Sequence, residues 1–298
     1  MEALQQIFDG LMRRYQKRVP DVNKITNALI EKNIINSQAD IENDHIAFRT
    51  IGVPQLGISS FEKIFLNYGY KRRDPYNFKA KKLNAFWYAP PEDHFPRIFI
   101  SELRMNEFPE ETQRLIYSYT NEIKENPIDK IDLNDPKQVD YFLHTSLWRT
   151  PKWEDYKKLL KVSEYAAWVI YNRYYLNHYT ITVNNLPTGY NTLEEFNRFL
   201  KKIGVKLNDS GGFIKKSEDG LLLQSSTVSQ MINAEFANGD THKIAGSYVE
   251  FAERKVLPEY KDLPAGKIKR KHRREGFEAS NADKIFESTF TSQTQKNQ

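Results

Sequence analysis

The chain contains no cysteine among its 298 residues. Disulfide bridges, thiolate zinc sites, iron–sulfur clusters and cysteine nucleophiles are therefore all excluded. If the protein binds a metal ion, the ligands must be histidine, carboxylate or water. This absence directs attention to the six histidines and to the carboxylates that accompany them.

The chain also lacks any long apolar segment. No stretch approaches the roughly 20 consecutive apolar residues that a membrane-spanning helix requires. The N-terminal segment 1–18 carries charges throughout and has no apolar run of the kind found in a secretory signal. From these two absences we expect a cytoplasmic protein with no membrane partner.

Charge of one sign is not in large excess, because 44 Lys and Arg residues are set against 39 Asp and Glu residues, giving a formal net charge of +5. The basic residues concentrate in three clusters, at 71–73, 79–82 and 267–274. Such clusters attract nucleic acids and other anions, but no helix-turn-helix, zinc-finger or RNA-recognition signature accompanies them. We do not expect a nucleic-acid partner, and the sequence leaves the oligomeric state open.

What the sequence does contain is a segment that occurs twice in outline, with the copies about 130 residues apart. Each copy opens with a histidine on a strand-like segment, His45 in the first and His178 in the second. Each continues with a helix-like segment that ends at a glycine, and closes with a strand-like segment that carries a glutamate, Glu102 or Glu250. Repeats of this size usually arise from one supersecondary unit that is duplicated and packed against itself.

The rest of the chain fits around these two modules as one domain, since 298 residues are enough for one large core. Helical periodicity predicts inter-module helices at 110–125, 135–149 and 153–176. We divide the domain into N-terminal helices at 1–40, a first module at 41–105, a helical block at 106–176, a second module at 177–257, and a basic C-terminal segment and tail at 258–298.

The first strand of the first module has an apolar side and a polar side. Ile46 and Phe48 alternate with His45 and Arg49, so the strand buries one face and presents the imidazole and the guanidinium on the other. Residues four apart on a strand are separated by roughly 13 Å. For a lone histidine in such a place, the alternative is an inward ring that is satisfied by hydrogen bonds.

The second module repeats the arrangement at His178 and adds a carboxylate, Glu250, between Val249 and Phe251 on its last strand. A carboxylate in apolar surroundings is costly to bury unless it is paired or bound to a metal, so Glu250 either forms a salt bridge or serves as a ligand. Two histidines and one glutamate from three strands can form the facial triad that holds non-haem Fe(II) with open coordination positions. His45, His178 and Glu250 are therefore the candidate ligands.

The same residues carry a resemblance to a known family. The paired modules resemble the vicinal oxygen chelate architecture. Segments 44–50, 177–183, 248–254 and 276–289 resemble the 2-oxoadipate dioxygenase/decarboxylase family, also called hydroxyglutarate synthase, most distinctively in the Asp-His-Ile-Ala-Phe-Arg-Thr motif. The resemblance implies an α+β fold in which two βαβββ-type modules form a half-closed mixed sheet around a metal site, with N-terminal and inter-module helices.

The resemblance also implies an activity. Members of this family are Fe(II) enzymes that use O2 to convert a 2-oxo dicarboxylate, 2-oxoadipate, into 2-hydroxyglutarate and CO2. His45, His178 and Glu250 match the metal ligands of the family, and Arg49 matches its substrate-carboxylate arginine. The planar guanidinium suits this role, because it binds a carboxylate through two parallel hydrogen bonds.

Three further polar residues have structural alternatives. Gln224, on the predicted central strand of the second module, is a candidate substrate ligand or a cross-strand partner. Ser280 is a candidate substrate ligand or the N-cap of a C-terminal helix. Glu102 mirrors Glu250 in the repeat, and we assign it a structural role because the second module supplies the ligand in this architecture.

Two other classes of function stay open at this point. The first is a metal-dependent isomerase or lyase of the same architecture, in which the metal acts only as a Lewis acid. The second is a non-catalytic protein that binds anions or nucleic acid through residues 267–274. Oxygen consumption with 2-oxo acids would separate the oxygenase from both.

Overall fold

The structure is a computed structural model that describes residues 1–296. It opens with two helices, α1 (Glu2–Arg18) and α2 (Pro20–Glu31). Apolar side chains recur at helical spacing along α1, where Leu4, Ile7 and Leu11 are buried. One face of α1 therefore packs onto the domain while the opposite face carries its charges.

The first module has the predicted βαβββ order. The turn after its helix requires a left-handed backbone, which Gly69 provides with a φ of +86°. The elements are β1 (Asn43–Ile51), α3 (Ile58–Asn67), β2 (Lys71–Phe78), β3 (Leu83–Ala89) and β4 (Arg97–Leu103).

The helical block differs from the sequence prediction in two respects. The helices expected at 110–125 and 135–149 are shorter and end at Thr120 and Phe142. The helix expected at 153–176 is two helices, because the extended backbone of Ser163 interrupts it and the Ser163 side chain accepts a hydrogen bond from the Ala166 N–H. The four helices of the block are α4 (Glu110–Thr120), α5 (Pro136–Phe142), α6 (Trp153–Val162) and α7 (Glu164–Asn172).

The second module repeats the order of the first and contains an insertion that the sequence did not predict. The insertion is a hairpin of two strands that forms a separate small sheet, β8 (Met231–Glu235) and β9 (Thr241–Ala245). The module itself consists of β5 (His178–Thr182), α8 (Leu193–Lys202), β6 (Lys215–Lys216), β7 (Leu222–Ser226) and β10 (Tyr248–Arg254).

Both modules contribute to one curled sheet of eight strands in the order β2-β3-β4-β1-β5-β10-β7-β6. The modules meet where β1 pairs with β5 in antiparallel fashion, with Ala47 opposite His178. Within each module the first and last strands are parallel. The first strands of the two modules are thus neighbours, and the predicted half-closed mixed sheet is confirmed.

The chain ends with two short helices, α9 (Ala279–Phe286) and α10 (Thr291–Thr294). Buried apolar residues from the N-terminal helices, both modules and α9 form one hydrophobic cluster. Within residues 1–296, no helix is long and apolar enough to cross a membrane.

Candidate metal centre

Three neighbouring strands in the middle of the sheet bring the candidate ligands together. His45 lies on β1, His178 on β5 and Glu250 on β10, and all three side chains are buried. The two Nε2 atoms are 3.3 Å apart, and oxygens of Glu250 lie 3.5 Å from His45 Nε2 and 3.1 Å from His178 Nε2. Among the described residues, this is the one group of three histidine or carboxylate side chains that could hold a metal ion.

The residue before each histidine fixes the orientation of its ring. The Nδ1 atom of His45 donates to the Asp44 carboxylate at 2.8 Å, and that of His178 donates to the Asn177 amide oxygen at 3.1 Å. Because these oxygens only accept hydrogen bonds, each Nδ1 carries the proton and each Nε2 presents a lone pair. Both imidazoles are thereby held with their ligand atoms facing inward.

The donor set fits a divalent metal ion. When both imidazoles are neutral, two lone pairs and a carboxylate converge, an arrangement that a cation stabilises, either a metal ion or a proton on His45. Ligands that bind an ion at about 2.1 Å and at right angles lie about 3.0 Å apart, and the observed separations of 3.1, 3.3 and 3.5 Å are close to this. Nitrogen and oxygen ligands on one side of an ion suit iron and other first-row transition metals.

Burial and neighbouring charges affect the two imidazoles differently. Burial lowers the pKa of His178 well below its ordinary value, and the charges of His45 and Arg49 act in the same direction. Burial also acts to lower the pKa of His45, but the Glu250 carboxylate and the Asp44 hydrogen bond overcome it and raise the pKa. His178 is therefore neutral at neutral pH, whereas a metal at His45 competes with a proton.

Asp44 belongs to a buried cluster of charges behind the ligands. Its carboxylate accepts hydrogen bonds from Arg254 at 2.7 and 3.0 Å and from Arg97 at 3.2 Å. Burial acts to raise the pKa of Asp44, but the Arg254 and Arg97 guanidinium groups hold it well below its ordinary value. Arg97 also pairs with Glu275. Asp44 therefore stays ionised and keeps its acceptor oxygen for His45.

Two amides hold the glutamate. Gln224 Nε2 donates to Glu250 Oε1 at 2.6 Å, and Asn281 Nδ2 donates to Gln224 Oε1 at 3.0 Å. Because Asn281 binds the amide oxygen of Gln224, the NH2 group of Gln224 faces the carboxylate. In the structure Gln224 is thus a cross-strand partner, the second of its two alternatives. The residue with which it pairs is Glu250, a candidate metal ligand.

Arg49 is a buried cation whose hydrogen-bond partners among the described residues are neutral. Its Nη1 donates to Thr289 Oγ1 at 3.0 Å and its Nη2 donates to the Phe286 carbonyl at 3.1 Å. Within residues 1–296, Arg49 Nε and the buried Tyr248 hydroxyl have no hydrogen-bond partner. Burial lowers the pKa of Arg49, while the nearby Tyr248 acts to raise it. A guanidinium in these surroundings suits an anionic ligand.

Comparison with known proteins identifies the family. The sequence profile of the 2-oxoadipate dioxygenase/decarboxylase family matches residues 7–265. The chain is 45% identical over 261 residues to the chloroplastic 2-oxoadipate dioxygenase/decarboxylase of Arabidopsis thaliana, an alignment that covers 84% of this chain and 68% of that protein. The chain belongs to the 2-oxoadipate dioxygenase/decarboxylase family.

A sequence match and a structure match from rice support this membership. The chloroplastic/amyloplastic 2-oxoadipate dioxygenase/decarboxylase of Oryza sativa subsp. japonica is 42% identical over 84% of this chain and 70% of its own length. The crystal structure of hydroxyglutarate synthase from Oryza sativa in complex with 2-oxoadipate superposes with a TM-score of 0.88 and 39% identity, covering 97% of this chain and 93% of that one. The resemblance inferred from the sequence is confirmed, and this family member is an enzyme.

The relatives contradict the cytoplasmic location expected from the sequence. The Arabidopsis protein is named as chloroplastic and the rice protein as chloroplastic or amyloplastic. The expectation came from the absence of a secretory or membrane segment, and such an absence does not distinguish the cytoplasm from an organelle.

The structure separates Ser280 from the metal centre of this family member. Its side chain is exposed on the first turn of α9. The helix N-cap is Glu278, so the N-cap alternative for Ser280 is not found either. The neighbouring Asn281 is buried instead, because successive helix positions are about 100° apart and face different directions.

Glu102 has a structural role at the N-terminus of a helix. Its Oε2 atom accepts a hydrogen bond from the Ile58 N–H at the start of α3. Glu253 does the same for Leu193 at the start of α8. Glu253, and not Glu250, is therefore the counterpart of Glu102 in the repeat, which corrects the pairing read from the sequence.

A small cavity of about 20 Å³ lies in front of the triad. One water molecule needs roughly 10–15 Å³ of such space, so the cavity is too small for an organic acid. Its polar side consists of the triad with Gln224 and Tyr248. Its apolar side closes the site, so that an organic acid enters only if this side moves; the side chains there are Phe99, Phe277, Ala282, Ile285 and Phe286.

The partners that orient the candidate ligands were not among the residues predicted from the sequence. Asp44 and Asn177 directly precede the two histidines, and this shared acceptor position could have indicated their role. Asn281 gave no such local signal, because it reaches the site only through the packing of α9 against the sheet.

Proposed function

We propose that this enzyme is an Fe(II)-dependent dioxygenase/decarboxylase that converts 2-oxoadipate and O2 into 2-hydroxyglutarate and CO2. The atoms balance without a further reactant, because a six-carbon 2-oxo diacid and one O2 give a five-carbon hydroxy diacid and one CO2. The substrate is suggested by the rice structure, which is a hydroxyglutarate synthase in complex with 2-oxoadipate. The observation that carries the proposal is the convergence of His45, His178 and Glu250 on one buried point.

The protein side chains have distinct tasks in this proposal. His45, His178 and Glu250 hold the metal on one side, and Asp44 and Asn177 keep both Nε2 lone pairs directed toward it. When bound, Fe(II) supplies open coordination positions for a 2-oxo acid and O2, together with the capacity to exchange electrons with them. The apolar side of the cavity excludes water from the reacting groups.

Arg49 and Tyr248 are proposed to bind the carboxylate at the far end of the diacid. Both offer a buried polar atom without a partner in the described part of the chain. Arg49 lies four residues after His45 on β1, roughly 13 Å along the strand. It is therefore distant from the end of the acid that binds the metal and suits the opposite end. A diacid therefore suits the site better than a 2-oxo monoacid.

Metal reconstitution of anaerobically purified protein tests the proposal. The metal-free enzyme would be loaded with Fe(II) or Zn(II), and the uptake of O2 and the release of CO2 and 2-hydroxyglutarate would be measured with 2-oxoadipate. We expect equal amounts of O2 consumed and CO2 released with Fe(II) and no turnover with Zn(II). Turnover without O2 uptake would instead identify an isomerase or lyase.

Two variants connect the activity to the triad. His45→Ala removes a proposed ligand and should abolish both Fe(II) binding and turnover. His94→Ala is the matched control, since the His94 side chain is 57% exposed. Loss of activity in both variants, or in neither, would contradict the assigned ligand.

A further inference from the structure

The strand pairing of the two modules defines which residues are equivalent. In the first module Ala47, two residues after His45, lies opposite Phe99 in the parallel pair of β1 and β4. In the second module Thr180, two residues after His178, lies opposite Glu250 in the parallel pair of β5 and β10. Phe99 therefore occupies the position in the first module that Glu250 occupies in the second.

Phe99 faces the same cavity as the triad. It lines the cavity together with the three candidate ligands and is 4% exposed. Its ring centroid is 5.1 Å from that of Phe277, which in turn packs 4.7 Å from the ring of His45. A position that the repeat makes equivalent to a metal ligand is thus occupied by a side chain with no atom that can bind a metal.

We propose that Phe99 determines the specificity of the site by keeping the number of protein ligands at three. A carboxylate at this position would complete a second histidine–glutamate pair and give the ion four protein ligands. Of six coordination positions only two would then remain, too few for a 2-oxo acid that binds through two oxygens and for O2 as well. This inference rests on the proposed function, because it concerns the positions that the proposed reactants need.

The alternative is that Phe99 is only a core residue. Its ring also packs 5.8 Å from Tyr76, as a buried aromatic side chain in any core would. A core role predicts that every smaller or polar replacement impairs the protein in the same way. A role in limiting the ligands predicts that a replacement with a ligand atom behaves differently from a replacement without one.

The test compares Phe99→Glu and Phe99→His with Phe99→Leu and Phe99→Gln. The first pair adds an atom that binds metal, and the second pair changes size or polarity without adding a strong ligand. Fe(II) affinity would be measured anaerobically by chelator competition. The capacity of the Fe(II) protein to bind 2-oxoadipate and nitric oxide together would be measured by electron paramagnetic resonance, with nitric oxide standing in for O2.

We expect Phe99→Glu or Phe99→His to bind Fe(II) about tenfold or more tightly than Phe99→Leu and to lose the signal of the complex with both 2-oxoadipate and nitric oxide. Phe99→Leu should keep that signal. Thermal melts with and without metal identify any variant that does not fold. Phe99→Glu and Phe99→His differ in size and charge, so if one of them does not fold, the other still tests the inference.

Any of three results would overturn the inference. The folded Phe99→Glu and Phe99→His variants could bind Fe(II) only as tightly as the wild type, or they could still bind 2-oxoadipate and nitric oxide together. The third result is that Phe99→Leu loses this complex to the same extent. The wild-type protein separates this failure from that of the proposed function. If wild-type Fe(II) protein does not bind 2-oxoadipate and nitric oxide together, the proposed function fails whatever the variants do.

Discussion

Asp44 and Arg49 are both buried charges, but their surroundings differ. Asp44 accepts hydrogen bonds from two guanidinium groups, those of Arg97 and Arg254. Arg49 donates to a carbonyl and to a hydroxyl, both neutral. A buried charge whose hydrogen-bond partners are all neutral lowers stability, and this is the reason for proposing that Arg49 binds a carboxylate of the substrate.

The first prediction concerns the replacement Arg49→Lys. The variant should bind Fe(II) as the wild type does, because Arg49 is not a ligand. Loss of a two-point contact to a carboxylate should cost on the order of 2–4 kcal/mol in the transition state, or about 30- to 1000-fold in kcat/KM for 2-oxoadipate. Steady-state kinetics would measure the loss, and a 2-oxo monoacid of similar length should show a much smaller one.

The same kinetics, combined with thermal melts, separate substrate binding from a structural role for Arg49. An equal loss on the diacid and the monoacid, together with a lower melting temperature, would reject the carboxylate contact. Within residues 1–296, Arg49 forms no ion pair with Glu102, the glutamate of the same module, which instead binds the Ile58 N–H.

The sequence indicated the candidate ligands more clearly than the residues that orient them. His45 and Glu250 stood out because strand alternation placed a polar group on an otherwise apolar strand. The hydrogen bond from Asn281 to Gln224 joins residues 57 positions apart. No local pattern encodes such a contact, since it depends on how α9 packs over the sheet.

Helix α9 is linked to the candidate metal centre through Asn281. Replacement Asn281→Ala should leave Gln224 Oε1 without a donor and free the amide to turn. Outer-shell partners of this kind typically contribute about tenfold or more to metal affinity, so we expect a loss of that size in Fe(II) binding. Chelator competition would measure it, and Gln224→Ala should give a similar loss that is not additive with the first.

Ser280→Ala is the matched control for this link. The substitution lies on the same helix one residue away, where the side chain is exposed. Fe(II) affinity should not change in this variant. If Asn281→Ala also kept wild-type affinity, the amide chain would have no role in holding Glu250.

A second prediction for the elements follows from the two glutamates at helix starts. Glu102→Ala and Glu253→Ala should each lower the free energy of unfolding by about 1–2 kcal/mol, because each removes an acceptor from the first turn of a helix. Urea unfolding would measure the change, and Fe(II) affinity should stay at the wild-type value in both variants. A loss of metal by Glu102→Ala would show that Glu102 acts beyond its helix.

The sequence placed Glu102 and Glu250 at matching ends of the repeat, and the error has a physical cause. Both residues lie on the last strand of a module, and spacing along the chain does not show which residue faces which across a sheet. The hydrogen-bonded register decides this, pairing Thr50 with Glu102 but Thr180 with Glu250. A difference of a few residues in this register decides whether a glutamate on the last strand faces the candidate metal site or caps a helix.

The pairing of β1 with β5 joins the two modules into one sheet with a shared cavity. The C-terminal segment then covers this cavity, with Phe277 and Phe286 in its apolar side. The duplication in the sequence predicted the shared sheet. It did not predict the cover, because the segment that supplies it lies outside both copies of the repeat.

The stability of the whole molecule should depend on pH through Lys215. This side chain is 4% exposed, and its Nζ donates to the Asn208 carbonyl at 2.8 Å. Burial lowers the pKa of Lys215 from 10.5 to about 8, although the Glu250 carboxylate acts in the opposite direction. Between these two values the unfolded chain binds more protons than the folded one, so the free energy of unfolding should rise with pH.

Replacement Lys215→Met should remove this rise. A difference of about 2.5 pKa units corresponds to about 3 kcal/mol, and most of this gain should appear in the wild type as pH increases from 8 to 10. Urea unfolding at constant metal loading across that range would measure it. Lys216→Met is the control, because the neighbouring side chain on β6 is exposed, and this variant should keep the wild-type slope. An unchanged slope in Lys215→Met would show that Lys215 does not lose its proton in the folded protein over this range.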